Sequence, residues 1–266
     1  MTPISIVIIT KNEARPITKC IKAARQISAD IIVVDNDSTD STTNIALKLG
    51  CKVFHESWDG YGANKNKGIN YAKHDWILSI DADEIADERL IQTLRDIKLT
   101  DPGIVYDIPF ISYYGRKPMH FGSWGRDHHI RLFNRKVVRW NEPPVHEKLV
   151  FSSAVRVEKL KGHLHHYSVE NDIEYRNKII HYARLSAEKY LAHGIKATVV
   201  KLYAAPVFHF IKNYVLFLGF LDGREGWQVA RMIAKHTRLK YRLLKRMTQN
   251  HFSELPRIKK KLVVEY

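Results

Sequence analysis

An α/β fold is predicted: a doubly wound, mostly parallel sheet with helices on both faces, followed by a helical C-terminal extension. Two observations predict the sheet. Short β-rich runs alternate with segments of helical spacing through the first hundred residues, and the connections between them are short, the signature of parallel strands joined by right-handed crossovers. A third predicts the extension: after residue 168 the strand signals stop and long helical patterns take over.

The elements follow in order. Ile4 to Thr10 is a nearly continuous β-rich run, as in a central strand buried on both faces. Ile17, Cys20, Ile21 and Ala24 recur at helical spacing. Ile31 to Val34 is a second strand ending at Asp35, and Thr42 to Leu49 a helix closed by Gly50, with Asp40 or Ser41 as its N-cap. Lys52 to Phe54 is a third strand, Lys65 to Ala72 a short helix, and Trp76 to Ile80 a fourth strand running into "SIDADE". Asn171 to His193 is an amphipathic helix with apolar positions Ile173, Ile179, Ile180, Ala183, Ala187 and Leu191; Asn171 and Glu174 suggest a capping arrangement and Gly194 its end.

Composition bounds the function. A hydrophobic content of 45% with 11% aromatic residues supports a packed core and excludes a disordered tail. The formal charge of +15 calls for an anionic partner: nucleic acid, an anionic membrane surface or phosphorylated substrates. Zinc-finger, RNP and helix-turn-helix signatures are absent, so nucleic acid is not expected. Cys20 and Cys51 read as two reduced thiols. The N-terminal run "ISIVIIT" meets Lys11-Asn12-Glu13 at once and reads as a strand, not a leader, so a cytoplasmic location is expected.

In doubly wound sheets ligands bind beyond the carboxyl ends of the strands. There the sequence puts Thr10, Asn12 and Glu13 after the first strand, Asp35 to Asp40 after the second, and Asp81, Asp83 and Glu84 after the fourth. Capping does not explain the last three together, whereas a divalent cation does. Mg²⁺ or Mn²⁺ binds through one or two carboxylates and completes its shell with substrate phosphates and water. No glycine-rich dinucleotide fingerprint follows the first strand and no Walker lysine loop occurs, so metal and side chains, Lys65 foremost, must meet the phosphate charge.

"SIVIITKNEARPITKCI", "IIVVDNDSTDST", "GANKNKGI" and "WILSIDADE" closely resemble the nucleotide-binding half of the family 2 inverting glycosyltransferases, which have a Rossmann-like GT-A fold. "GSWGRDHHIRLFNR", "PPVHEKL", "LHHYS" and "NYVLFLGFLDGREGW" are similar to the branch that adds a hexose to the inner core of bacterial lipopolysaccharide or lipooligosaccharide. The resemblance implies a UDP-sugar donor, with UDP-glucose favoured, and a saccharide or lipid-linked glycan acceptor. It implies that Thr10, Asn12 and Glu13 line the uridine pocket, that Asp35 or Asp37 contacts base or ribose, and that Lys65 contacts diphosphate. Asp81 would touch ribose or sugar, and Asp83 would ligate the metal.

Inverting transfer also needs a base for the acceptor hydroxyl. Two acids compete: Asp127, whose spacing to Arg131 fits the family pattern better, and Glu147 in "PPVHEKL". His146 is either a packing residue or a group at the metal or pyrophosphate. Trp124 and Trp140 are open between sugar platforms and core. His163, His165 and His166 have no cysteine or carboxylate nearby in sequence and read as polar or half-buried strand residues rather than ligands.

Between Leu202 and Leu221 the only basic or acidic side chains are His209 and Lys212, apart from the weakly acidic phenols of Tyr203 and Tyr214. That length approaches a bilayer span, but Pro206 and the two polar groups argue against crossing. A core helix and a helix lying in the membrane interface both stand. Residues 1–168 are therefore expected to form the glycosyltransferase domain, 1–100 holding the nucleotide sugar and 101–168 the acceptor. Residues 169–266 form a basic helical extension whose further partner is an anionic membrane surface, the cytoplasmic face of the inner membrane.

Overall fold

A computed structural model describes residues 3–141, 148–151 and 154–262, with the backbone alone from residue 250 onward. The first four strands lie where the pattern puts them. β1 (Ile4–Thr10), β2 (Asp30–Asp35), β3 (Lys52–His55) and β4 (Trp76–Asp81) alternate with helices α1 (Ile17–Arg25), α2 (Thr42–Lys48) and α3 (Tyr61–Asn70). They pair in parallel in the order β3-β2-β1-β4. Every residue of β1 and β2 is buried, as expected of strands covered on both faces. Successive side chains point to opposite faces. Ile4, Ile6, Ile8, Ile31 and Val33 pack with Ile17 and Ile21 of α1, whereas Val7, Ile9, Ile32 and Val34 pack with Ile69 of α3.

β5 (Glu84–Ala86), α4 (Glu88–Asp96), β6 (Ile104–Tyr114), β7 (Lys117–Pro118) and β8 (His128–Asn134) follow. β9 (Arg139–Trp140) and β10 (Leu149–Val150) form a separate two-stranded ladder, and β11 (Arg156–Lys159) and β12 (Leu164–Val169) return to the main sheet. The sheet continues past β4 through β8, β6, β12 and β5. β8 runs antiparallel to both β4 and β6, so this half is mixed rather than parallel. β12 runs antiparallel to β5 with His166 opposite Glu84. That single pairing brings residue 166 to the acids that end β4.

The chain divides into two compact units: one contains residues up to Met119 together with Trp124–Ser168, the other His120–Ser123 and the chain from Val169 onward. The second is helical, with α5 (Asp172–Ala192), α6 (Val199–Ile211) and α7 (Gly223–Leu262) packed around Ala187, Leu202, Tyr241 and Leu244. The Asn171 side chain accepts from the backbone N–H groups of Ile173 and Glu174 at 3.0 Å, and Glu174 Oε2 accepts from the Glu170 N–H at 2.7 Å. The stripe expected on α5 is only partly the buried one. Ile173 and Ile180 are exposed, while Tyr175 and Ser186 are buried beside Ile179, Ala183 and Ala187. The real stripe therefore has a polar member that hydropathy alone does not select.

Candidate active site

Thr10 ends β1 opposite Asp35, which ends β2, and Ile9 lies opposite Asp81 at the end of β4. Three expected loops thus share one edge. The first two are knitted together: Asn12 Oδ1 accepts from the Thr39 N–H at 2.7 Å, and the Asn12 N–H donates to Ser38 Oγ at 2.9 Å. Asn12 and Asp37 both adopt left-handed backbone, with φ near 57° and 58°. Asn and Asp tolerate that region better than other non-glycine residues. Asp37 is exposed. Asp35 is buried, and its Oδ2 accepts from the Ser38 N–H at 3.1 Å. Thr10 Oγ1 and Asp35 Oδ1 are buried with no hydrogen-bond partner among the described residues. Such atoms ordinarily find a donor or acceptor, so two of them on neighbouring strand ends point to a ligand.

The crowded acids are held by residues far away in sequence. Arg131 on β8 donates to Glu84 and lies 3.3 Å from Asp81 Oδ2. Lys65 on α3 lies 3.4 Å from Asp81 Oδ1, and its ammonium sits 4.6 Å above the Trp140 ring. Lys65 is only 2% exposed, and Asp81 is the carboxylate that it faces. Trp140 is buried against Phe133, which makes it core and a platform for Lys65 rather than a sugar-stacking surface. Lys65 can lie so deep because α3 approaches the sheet at Gly68, where a Cβ would fall 2.4 Å from Val7 Cγ1.

His166 Nε2 lies 3.5 Å from Asp83 Oδ2, and Tyr167 N–H donates to the Asp83 carbonyl at 3.1 Å. The local sequence around His166 offers no carboxylate; the β5–β12 pairing supplies one. The three histidines are half-buried, as expected, and only the lack of a carboxylate is corrected: His166 meets Asp83 and His163 meets Asp87. His165 instead bonds the Tyr113 hydroxyl at 2.9 Å, and His163 meets Asp87 at 3.2 Å. Asp127, at the mouth of β8, lies 3.0 Å from His129 Nε2. Phe110 on β6 joins these groups, edge-on to the rings of His129 and His166 and beneath the Arg131 guanidinium. Glu147 and His146 lie outside the described residues.

Charge follows from this packing. Burial alone would raise the Asp81 carboxyl, but Lys65, Arg131 and His166 hold it far below the ordinary carboxylate range. Burial, with the Asp81 charge added, pushes Glu84 up to about 7 against the pull of Arg131. Burial would lower His166, yet Asp83, Glu84 and Asp81 together raise it to about 9. Burial works to raise Asp127; His129, with help from His166 and Arg131, outweighs it and keeps the carboxyl below its usual value. The Asp127 carboxyl is thus unprotonated at neutral pH, as a base must be, while the groups that depress it also lower its affinity for a proton.

Among the described residues no group of three His, Cys, Asp or Glu side chains is arranged to hold an ion alone. The Asp83 carboxylate suits a hard cation that takes its remaining ligands from a bound phosphate and water, whereas His166, raised to about 9, carries a proton that a metal ion would have to displace.

The family profile described as glycosyl transferase family 2 matches residues 5–164. An uncharacterized glycosyltransferase of Rickettsia prowazekii (strain Madrid E) is 30% identical over 239 residues, covering 85% of this chain and 81% of that protein. The lipopolysaccharide core biosynthesis glycosyltransferase LpsC of Rhizobium meliloti is 28% identical over 224 residues, covering 80% of each. Among solved structures, residues 1–349 of S. aureus TarS align over 94% of this chain and 92% of that one, at 16% identity and a TM-score of 0.47. A chain with this sheet, this acidic edge and a profile match across it is an α/β protein with the GT-A fold, and it belongs to glycosyl transferase family 2.

Proposed function

We propose that this glycosyltransferase moves a hexose from a UDP-sugar, UDP-glucose favoured, to a saccharide or lipid-linked glycan with inversion at the anomeric carbon. The acceptor belongs to lipopolysaccharide core or other cell-surface glycan synthesis, a reading supported by the similarity to LpsC. The work is done on the cytoplasmic face of the inner membrane. The observation that carries the chemistry is the convergence of Thr10, Asp35, Asp81, the Asp83–His166 pair and Asp127 within one unit.

In this reading Thr10, Asn12, Glu13 and the acids Asp35 and Asp37 line the uridine pocket, where a base or ribose donor satisfies the buried Asp35 Oδ1 and Thr10 Oγ1. Asp81, kept ionised by Lys65 and Arg131, accepts from the ribose or sugar hydroxyls, and Lys65 acts through it. Asp83 would hold Mg²⁺ or Mn²⁺, with His146 the second candidate ligand and His166 a further one once the ion displaces its proton. The imidazole favours the first-row transition ion. Such an ion supplies positive charge that stabilises the departing diphosphate. Asp127 takes the proton from the acceptor hydroxyl; Glu147 is the alternative base. Titration calorimetry of UDP tests the pocket. Binding should require Mn²⁺ and disappear in Asp83→Ala, and metal-independent UDP binding of equal strength in both proteins would refute it.

A further inference from the structure

The outward face of α6 is apolar. Val199, Val200, Tyr203, Val207 and Phe208 each expose more than half of their surface, and Ile211 exposes 44%. At 100° per residue these six fall within one half of the helix, and the other half carries the buried Leu202 and Pro206. A helix packed on a protein and washed by water shows the reverse polarity. The apolar surface does not stop at the helix end. It runs on through Val215, Leu216, Leu218, Phe220 and Leu221, all exposed, around a bend of 72° into α7.

The bend is firmly built, so this exposure is not a loose end. Leu218 takes left-handed backbone, and Gly226 meets Gly219 so closely that a Cβ at 226 would lie 1.9 Å from the Gly219 carbonyl. Buried Asp222 accepts from the backbone N–H groups of His120 and Phe121, and Asn213 Oδ1 from that of Ser123. A fixed scaffold therefore presents the patch to the surroundings. Contiguous exposed apolar surface on this scale marks an interaction site.

We propose that this face docks on an anionic lipid bilayer and lies in its interfacial plane. The occupant is argued from charge. Between residues 195 and 250 there are eleven Lys or Arg and two acids, Asp222 and Glu225, of which Asp222 is buried. A second copy would bring the same positive charge against itself, whereas anionic headgroups complement it. Among the described residues no single helix is long and apolar enough to cross a membrane; the bent pair Val199–Leu216 and Gly219–Gln249 meets that test together by length and composition, and carbonate extraction below separates crossing from lying in the interface. The surface gives a membrane location a physical basis, and it stands independently of the sugar chemistry because its residues belong to the helical unit.

The test is sedimentation of the full chain with phosphatidylcholine vesicles, with and without phosphatidylglycerol. The protein should pellet with the anionic vesicles, be weakened but not released by molar salt, and come free in carbonate. Val207→Glu with Ile211→Glu should reduce vesicle binding about tenfold or more. Their melting temperature and UDP binding should stay at wild-type values. Tyr203→Ser with Phe208→Ser, which adds no charge, should act in the same direction. Absence of vesicle binding, or binding that both double variants leave unchanged, overturns the proposal. A concentration-dependent dimer dissolved by the same substitutions also overturns it, because the face would then belong to a second copy. Loss of UDP binding with vesicle binding intact would count against the sugar-transfer reading alone.

Discussion

Asp81, Asp83 and Glu84 crowd into four positions, and basic side chains from three other elements hold them. Arg131 lies against Asp81 and Glu84, Lys65 against the other oxygen of Asp81, and His166 against Asp83. Asp83 is thus the acid with the softest restraint, since an imidazole at 3.5 Å is a displaceable partner, and it is the one suited to meet a cation. Asp83→Ala should abolish metal-dependent transfer while the fold is kept, since relief of repulsion among the acids offsets the lost attraction for His166. His166→Ala should weaken Mn²⁺-dependent turnover about tenfold or more by removing the nitrogen ligand. Mn²⁺ titrations of activity check both. Asp127→Asn should lower kcat by about 10²- to 10⁴-fold with donor affinity little changed. If Glu147→Gln collapses kcat while Asp127→Asn does not, the base is Glu147.

At the scale of elements, α3 and the start of β2 carry predictions that do not involve the chemistry. Gly68→Ala places a methyl 2.4 Å from Val7 Cγ1 and 2.8 Å from Val34 Cγ2, so α3 must lift off the sheet. The expected cost is about 1–3 kcal/mol in urea unfolding, with weaker UDP binding as Lys65 withdraws from Asp81. Asp30 opens β2 and accepts from Lys52 at 2.7 Å, the Lys73 N–H at 2.9 Å and Ser5 Oγ. Burial opposes ionisation there, yet those donors hold its carboxyl below the ordinary value. A depressed carboxyl stabilises the fold above its unfolded pKa and loses that contribution as pH falls through the folded one. Asp30→Asn should therefore be less stable than wild type by about 1 kcal/mol at pH 7, and the gap should narrow below about pH 4. An unchanged gap at pH 3 would show that the charge is not involved.

The same scale explains what the sequence discloses. β1 to β4 are legible because each is a short apolar run ending in polar residues, and the parallel order follows from the helices between them. His166 is not legible as a site residue, because what matters is its partner across β5, roughly eighty residues earlier in the chain. Local pattern carries no register between distant strands. Lys65 was legible in position but not in setting: its burial depends on Gly68 and on Trp140 from β9. The apolar stretch from Leu202 was legible as apolar but not as exposed, since hydropathy does not say which half of a helix faces a neighbour. Its exposure removes the reading of a wholly internal core helix.

At the scale of the whole molecule, two units divide the sources of stability. The sheet unit keeps Cys20 and Cys51 buried, and burial pushes the Cys51 thiol up to about 11, so both stay unreactive in the native state. In the helical unit, Tyr241 and Leu244 of α7 pack with Ala187 and Leu202, so the basic helix is part of the core up to that point rather than a detachable tail. A chain ending at Lys235 would lose that core, which is why the membrane proposal is tested by substitutions on the exposed face. The positive charge gathers in this unit, while the crowded acids Asp81, Asp83 and Glu84 belong to the other. The most direct test of the central claim is donor turnover. The purified chain is incubated with a panel of labelled nucleotide sugars, with and without Mn²⁺, and released sugar and nucleotide are measured. The account predicts slow, Mn²⁺-dependent hydrolysis of a UDP-hexose that Asp83→Ala removes. Turnover that ignores both Mn²⁺ and Asp83, or none with any UDP-sugar, would contradict it.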